Sequence, residues 1–216
     1  MRLWAKRHPP GVAKHVPHGS ARSEPASTVE VDNRSSPAEA GVDRLTRVLN
    51  RVHFEVRLSK ELEKTRGFGD CFVLVFFDID EFRTLNGAHG HRAGDDAIVL
   101  MAQALRSNAR RVDVVARYGS DEFVVLMPGT SLVGARNFFE RVRAEVAERS
   151  MLELGFTVHL SAGAVKLLHD VTGDPQDLLE TAGHAMYVAK CQGKDRLFAT
   201  VAIGHAENGR EANPGA

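Results

Sequence analysis

Charge of either sign is not in excess in this chain. Lys plus Arg and Asp plus Glu both number 28, so the composition indicates neither a nucleic-acid-binding surface nor an acidic solvating tail. Cysteine is nearly absent. Cys71 in an apolar run and Cys191 near the end of a helical pattern support neither a disulfide framework nor a paired-cysteine zinc site, and a reducing cytoplasm fits them. No apolar run approaches the roughly 20 residues of a membrane span. The basic opening MRLWAKRHPPGVAKHV is broken by prolines and is followed by no apolar core, so it does not read as a secretory signal. What is present is 216 residues with 43% apolar content, enough for one domain with a full core.

Residues 1–41, rich in Pro, Gly, Ser and Arg and without periodicity, read as a disordered tail, too short and polar to be a sensory domain. Residues 42–202 carry the folded pattern, and 203–216 form a second polar tail. From Asp43, apolar residues at Leu45, Val48, Leu49 and Val52 have helical spacing. CFVLVFFDID (71–80) is a continuous apolar run, as in a strand covered on both faces, and it ends in acids. GDDAIVLMAQALRSNARR (94–111) puts Ile98, Met101, Ala102 and Leu105 on one helical face, with Asp95 and Asp96 in its early turns.

VDVVARYGSDEFVVLMP (112–128) reads as two strands joined at Gly119-Ser120. A helix over 131–149 buries Ala135, Phe138, Phe139, Val142 and Val146, and FTVHLSAGAV (156–165) alternates like a half-buried strand. Asp174-Pro175 caps a helix carrying Leu178, Leu179, Ala182, Ala185, Met186 and Ala189, which stops at Gly193 before a last strand, RLFATV. Strands interleaved with helices, one hairpin included, predict an α/β (α+β) fold: a mixed sheet with helices packed on it.

The acids at the end of the apolar strand demand an explanation, since an unpaired buried charge costs several kcal/mol. Asp80 either caps the next helix through DEFR or joins Asp78 in a charged cluster. If the hairpin lies beside this strand, Asp121 and Glu122 add to that cluster, and a hard divalent cation with oxygen ligands is the simplest compensation. The segment Asn86-Gly87-Ala88-His89-Gly90-His91, with Gly94 and Asp95, is too glycine-rich for ordinary helix and suits close backbone approach by a ligand. Asn86 and Asp95 can read the donors and acceptors of a polar ring. Without a cysteine partner or a helical His-x-x-x-His pair, the histidines do not make a zinc site.

These pieces, in this order, resemble the GGDEF family of diguanylate cyclases, which condense two GTP into cyclic di-GMP. The carrying residues are DRLTRVLNR (43–51), DIDEFR (78–83), NGAHGHRAGD (86–95), GSDEF (119–123), SAG (161–163) and AGHAMYVAKCQGK (182–194). The resemblance implies a Mg²⁺ ion, with Mn²⁺ as an alternative, on Asp78, Asp121 and the main-chain carbonyl of Ile79. It implies guanine recognition by Asn86 and Asp95, distal phosphates on Lys190 and Lys194, and deprotonation of the ribose 3′-OH assisted by Glu122 with Asp121. Phe82, Arg83, His91, Gly119 and Ser120 would line the substrate. It further implies a homodimer, with one GTP on each domain; the balanced charge gives no reason to expect a nucleic-acid partner. RRVD holds Arg110 and Asp113 at the spacing of the family's inhibitory site for cyclic di-GMP, with Arg141 as a contact from a neighbouring domain.

Departures from the family pattern are Ser120 for Gly, Gly87 for Asp, Gly183 for Asp, Arg47 for Gly, Lys194 for Arg and Arg83 for Lys. A type II′ turn needs positive φ only at its first central residue, which Gly119 can supply, so the hairpin tolerates Ser120; the added hydroxymethyl group projects toward the substrate. The alternative to a cyclase is a catalytically silent domain that binds GTP or cyclic di-GMP and regulates a partner by contact.

Overall fold

The computed structural model describes residues 41–68, 71–168 and 174–202. The tails read at 1–41 and 203–216 lie outside them, apart from Gly41, whose carbonyl accepts a hydrogen bond from Asn50 N. The element order is β1 (Leu49–Asn50), α1 (Arg51–Phe68), β2 (Phe72–Ile79), α2 (Phe82–His89), α3 (His91–Asn108), β3 (Val114–Arg117), β4 (Glu122–Pro128), α4 (Leu132–Leu154), β5 (Leu160–Leu167), α5 (Pro175–Cys191) and β6 (Leu197–Val201). The strands form one six-stranded mixed sheet in the order β1-β3-β4-β2-β5-β6. Within it β2 runs antiparallel to both β4 and β5, while β1 with β3 and β5 with β6 are parallel. Among the described residues no helix is long and apolar enough to cross a membrane.

Every residue of β2 is buried, because side chains alternate between two covered faces. Val73, Val75, Phe77 and Ile79 enter a core with α3 and α4, which contribute Ile98, Met101, Phe138, Phe139 and Val142. Phe72, Leu74 and Phe76 face the other way, onto Phe54, Leu58 and Leu62 of α1 and Leu178, Leu179 and Met186 of α5. By the same alternation Asp78 belongs to the α5 face, and this parity fixes its neighbours.

Four local expectations are corrected. The leading helix begins at Arg51, not near Asp43: Asp43 Oδ1 accepts from Thr46 N and Oγ1 at 2.9 and 2.7 Å, and Arg47 turns left-handed at φ 59°. Such a side-chain turn competes with helix, and it leaves Val52, expected on the apolar face, 66% exposed. The segment 86–95 is helical on both sides of a single break at Gly90 (φ 85°), which puts Asp95 and Asp96 beyond the first turn of α3. β5 is buried on both faces rather than one, since it lies between β2 and β6 with helices above and below. A Cβ on its Gly163 would meet Ala182 O and Met186 N of α5, each at 2.2 Å, so glycine here sets how closely α5 seats. Finally, Asp80 does not cap α2; the cap position is Glu81, left-handed at φ 55° and without a side-chain cap.

The helix cap read at Asp174 is present, and Ser131 supplies one that the sequence reading does not name. Asp174 accepts from Gln176 N at 2.7 Å with Pro175 opening α5, and Ser131 accepts from Gly134 N to start α4.

Candidate active site

The register of the central strands builds the site. Asp78 lies directly opposite Glu122 on β4 and opposite Ser161 on β5, and Ile79 N donates to Asp121 O at 3.3 Å. Strand β2 therefore carries its terminal carboxylate to the base of the hairpin turn. Like charges facing each other across a ladder are unfavourable, and Asp78 is only 2% exposed. Lys190, from the last turn of α5, answers this from the same face: its Nζ pairs with Asp78 Oδ1 at 2.5 Å, an oxygen otherwise buried without a hydrogen bond. Burial nevertheless dominates. It pushes the Asp78 carboxyl up to about 7 against the pull of Lys190, and Asp121 and Glu122 add to the rise.

The hairpin differs from the expected turn. Neither Gly119 nor Ser120 has positive φ, so the connection is not type II′. It is a longer loop in which Tyr118 N and Gly119 N both donate to Glu122 O, at 2.8 and 3.2 Å. Glycine is required at 119 for a different reason: a Cβ there would meet Glu122 Oε2 at 2.3 Å. Ser120 is exposed, and its hydroxyl donates to Asp121 Oδ1 at 2.5 Å.

Arg117 escaped the sequence reading. Its guanidinium donates to Gly119 O and Ser120 O, at 3.2 and 2.6 Å, and pairs with Asp43, so it holds the loop carbonyls that a tight turn would have bonded itself. Arg51 escaped too. It lies over the Tyr118 ring at 4.5 Å, and the negative charge of Glu122 is among the influences that raise its pKa, Glu55 first. An arginine just before a glycine turn was the available signal for the first; nothing local marked the second.

On the other side of the strand end, Phe82 and Asn86 of α2 turn toward α3. A Cβ on Gly94 would lie 2.0 Å from Asn86 Oδ1 and 3.1 Å from Phe82, so the missing side chain makes room for the amide. Asn86 Oδ1 is itself buried without a hydrogen bond. Asp95, His91 and Arg83 are exposed. Lys194 is left-handed at φ 60° and pairs with Glu81 at 2.5 Å. A cleft of about 470 Å³ opens beside Glu81 and Lys194, along the opposite side of α2 from Asn86.

Of the acids expected in one cluster, Asp78, Asp121 and Glu122 are brought together and Asp80 is not; its oxygens accept from Ser161 Oγ and Asp195 N. Among the described residues no three His, Cys, Asp or Glu side chains form a ready-made metal cage. The donors suit a hard cation nonetheless: oxygen only, one buried carboxylate oxygen met only by the Lys190 ammonium, and a carboxyl whose charge its surroundings disfavour. Magnesium is typically held by one or two carboxylates plus substrate phosphates.

Arg110 and Asp113 lie apart from this cluster and bond each other. Arg110 N donates to Asp113 Oδ2 at 2.8 Å, and its guanidinium reaches Asp113 Oδ1 at 2.7 Å, Pro128 O at 3.0 Å and Thr130 Oγ1 at 2.5 Å. Arg141 is exposed and donates to Asn108 Oδ1 at 3.3 Å.

Known proteins resemble this chain in sequence and fold. Among curated relatives, the diguanylate cyclase DgcP of Pseudomonas aeruginosa is 37% identical over 161 residues, covering 74% of this chain and 24% of its own. The diguanylate cyclase DosC of Escherichia coli is 30% identical over 170 residues, covering 78% of this chain and 37% of its own. The chain thus spans well under half the length of these relatives. The GGDEF domain of DgcB from Caulobacter crescentus, solved in complex with c-di-GMP, superimposes with a TM-score of 0.68 at 29% identity, covering 74% of this chain and 95% of that one. The GGDEF domain of PA1120 from Pseudomonas aeruginosa gives 0.67 at 32% identity, covering 73% and 99%. The family profile described as diguanylate cyclase, GGDEF domain, matches residues 40–196, most of the sequence, and the chain belongs to that family.

Proposed function

We propose that this chain is a diguanylate cyclase that condenses two GTP into cyclic di-GMP and two pyrophosphates. The observation that carries the reading is the convergence at the end of β2: buried Asp78 opposite Glu122, Asp121 bonded through its backbone to Ile79, and Lys190 at 2.5 Å. Asp78, Asp121 and the Ile79 carbonyl would hold Mg²⁺ or Mn²⁺, which when bound neutralises phosphate charge and lowers the pKa of a coordinated hydroxyl.

In each of two steps the ribose 3′-oxygen of one GTP attacks the α-phosphorus of the other. The new O3′–Pα bond forms as the bond from Pα to the bridging oxygen breaks, and pyrophosphate leaves with the electron pair. Glu122, assisted by Asp121, takes the 3′ proton. Asn86 and Asp95 orient the guanine, with Phe82, Arg83, His91, Gly119 and Ser120 around the substrate, and Lys190 and Lys194 neutralise the distal phosphates. Each domain holds one GTP, so turnover requires two chains face to face. Arg110 and Asp113 would bind the product once their mutual pairing opens.

One observation favours a second reading, a silent nucleotide-binding domain: the Ser120 hydroxyl occupies an oxygen of Asp121. Incubating the purified chain with GTP and Mg²⁺ over a range of protein concentrations separates the two. Cyclic di-GMP formed at a rate rising faster than linearly with protein supports the cyclase. Absence of product at high concentration, alongside measurable GTP affinity, overturns it in favour of the binder.

A further inference from the structure

Asp80 follows Asp78 off the end of β2, yet neither of its oxygens joins the acidic cluster. Oδ1 accepts from Ser161 Oγ at 2.7 Å, and Oδ2 accepts from the same hydroxyl at 3.0 Å and from the main-chain N–H of Asp195 at 3.0 Å. Asp80 N donates in turn to His159 O at 2.9 Å, so the residue is tied to β5 and its approach through backbone and side chain alike. Ser161 is completely buried, and its side chain faces the α5 side of the sheet.

The turn that receives this carboxylate has an unusual backbone. Gly193, Lys194 and Asp195 follow one another at φ 114°, 60° and 47°. Glycine accepts such angles freely, but consecutive non-glycine residues in the left-handed region persist only where the surroundings over-determine them. Several contacts supply that restraint, among them a pairing of His159 Nδ1 with Asp195 Oδ1 at 3.5 Å. Lys194 N donates to Ala189 O at 3.2 Å, and Arg196 Nε donates to Lys194 O at 2.9 Å. Arg143 of α4 pairs with Asp195 Oδ2 at 2.7 Å, and Asp195 N donates to Asp80. The conformation delivers the Lys194 ammonium to Glu81, the residue next to Asp80, and both line the cleft beside α2.

We propose that Asp80 is a positioning residue: its carboxylate, braced by Ser161, pins the left-handed Lys194-Asp195 turn and so aims the Lys194 ammonium at the phosphates of the bound nucleotide. The proposal rests on the cyclase reading for the nature of that nucleotide. It also separates two acids that lie two residues apart in the chain, giving Asp78 to the cation and Asp80 to the phosphate-binding lysine.

The test is a double-mutant cycle with a second, activity-independent readout. Asp80→Ala is expected to raise KM for GTP about tenfold, the loss of one charge-assisted hydrogen bond, while kcat at saturating GTP and the half-saturating Mg²⁺ concentration stay within about threefold. Asp80→Asn, which keeps one acceptor oxygen, falls between wild type and alanine and serves if the alanine variant does not fold. Lys194→Ala raises KM by itself, and adding Asp80→Ala to it changes little further, because both remove the same interaction. A merely structural Asp80 would instead give additive effects, and additivity overturns the proposal.

Amide hydrogen exchange decides the matter even if the wild type makes no product, an outcome that sinks the cyclase reading alone. The Asp195 amide should exchange at least about tenfold faster in Asp80→Ala, and to an intermediate degree in Asp80→Asn, under conditions where the amides of β2 are unchanged. Unaltered exchange at Asp195 overturns the proposal.

Discussion

Lys190 Nζ lies 2.5 Å from Asp78 Oδ1, the two residues standing one position before the ends of α5 and β2 respectively. The pairing follows from strand parity, since Asp78 faces the same side as Phe72, Leu74 and Phe76, against which α5 packs. It is a partial remedy: burial still holds the carboxyl near 7, so the pair stands in for a stronger positive charge. On the proposed reading, a cation arriving at Asp78 frees the ammonium for a phosphate, and the same lysine serves both states.

The burial of Asp78, which outweighs the pull of Lys190, makes a pH prediction for the metal-free protein. The folded-state value of about 7 lies above the ordinary 3.8, so the folded chain holds the proton more tightly than the unfolded chain. The contribution of Asp78 is therefore favourable at low pH and is lost as pH rises from about 4 through about 7, at up to about 1.4 kcal/mol per unit. Urea titrations in chelator should show this slope in the wild type. In Asp78→Asn, which mimics the protonated acid, it should vanish, and parallel profiles for the two proteins would refute the assignment.

The same substitution, and Asp121→Asn, should each lower kcat by at least about a thousandfold while leaving the fold intact. Circular dichroism and cyclic di-GMP quantification check both halves of the expectation. Retained turnover in either variant would remove that residue from the cation site.

Gly119 and Ser120 should respond in opposite directions. Gly119→Ala places a methyl group 2.3 Å from the present position of Glu122 Oε2, so the carboxylate must swing away and kcat should fall by about tenfold or more. Ser120→Gly removes the hydroxyl that occupies Asp121 Oδ1 and should improve Mg²⁺ affinity several-fold, at a stability cost of about 0.5–1 kcal/mol from added backbone freedom. Mg²⁺ titrations of turnover, paired with thermal melts, measure both. Should Ser120→Gly leave the Mg²⁺ dependence unmoved, the serine is not what restrains the site.

Much of this was legible before the fold was known, for reasons that are local. The apolar run of β2 and the helical spacings of α3, α4 and α5 each repeat one physical pattern over many residues, and all the core positions read from those three helices are buried. Single-residue geometry was less accessible. Arg47, Glu81, Lys194 and Asp195 adopt left-handed φ without being glycine or asparagine, and the loop at Gly119 uses glycine for side-chain clearance rather than for φ. The role of Asp80 depends on Ser161 and Asp195, 81 and 115 residues away, which no window of sequence could join.

Gly163 offers a test that begins with stability. A Cβ there meets Ala182 O and Met186 N at 2.2 Å, and both are backbone atoms of α5 that cannot rotate aside. Gly163→Ala must push the helix off β5, costing about 1–3 kcal/mol or more, as overpacked cores do. Denaturant midpoints measure this. Because Lys190 rides on the same helix, the variant should also lose turnover disproportionately to its unfolding, when assayed well below its melting temperature.

Product inhibition supplies the last prediction. Arg110 already spends its guanidinium on Asp113, Pro128 O and Thr130, with Asp113 almost completely covered and the arginine side chain half exposed. On the proposed reading, cyclic di-GMP at this place must compete with those bonds, so they would set its affinity as much as the ligand contacts do. Arg110→Ala should abolish inhibition without lowering the initial rate, since the pair lies outside the acidic cluster. Thr130→Val, which removes one of the restraints while keeping the arginine, should tighten inhibition by about two- to fivefold, the worth of a single partly buried hydrogen bond. Initial rates measured against added cyclic di-GMP discriminate the cases. Inhibition persisting in Arg110→Ala would place the regulatory contact elsewhere, and weaker inhibition in Thr130→Val would mean that the threonine presents the arginine to the ligand rather than holding it back.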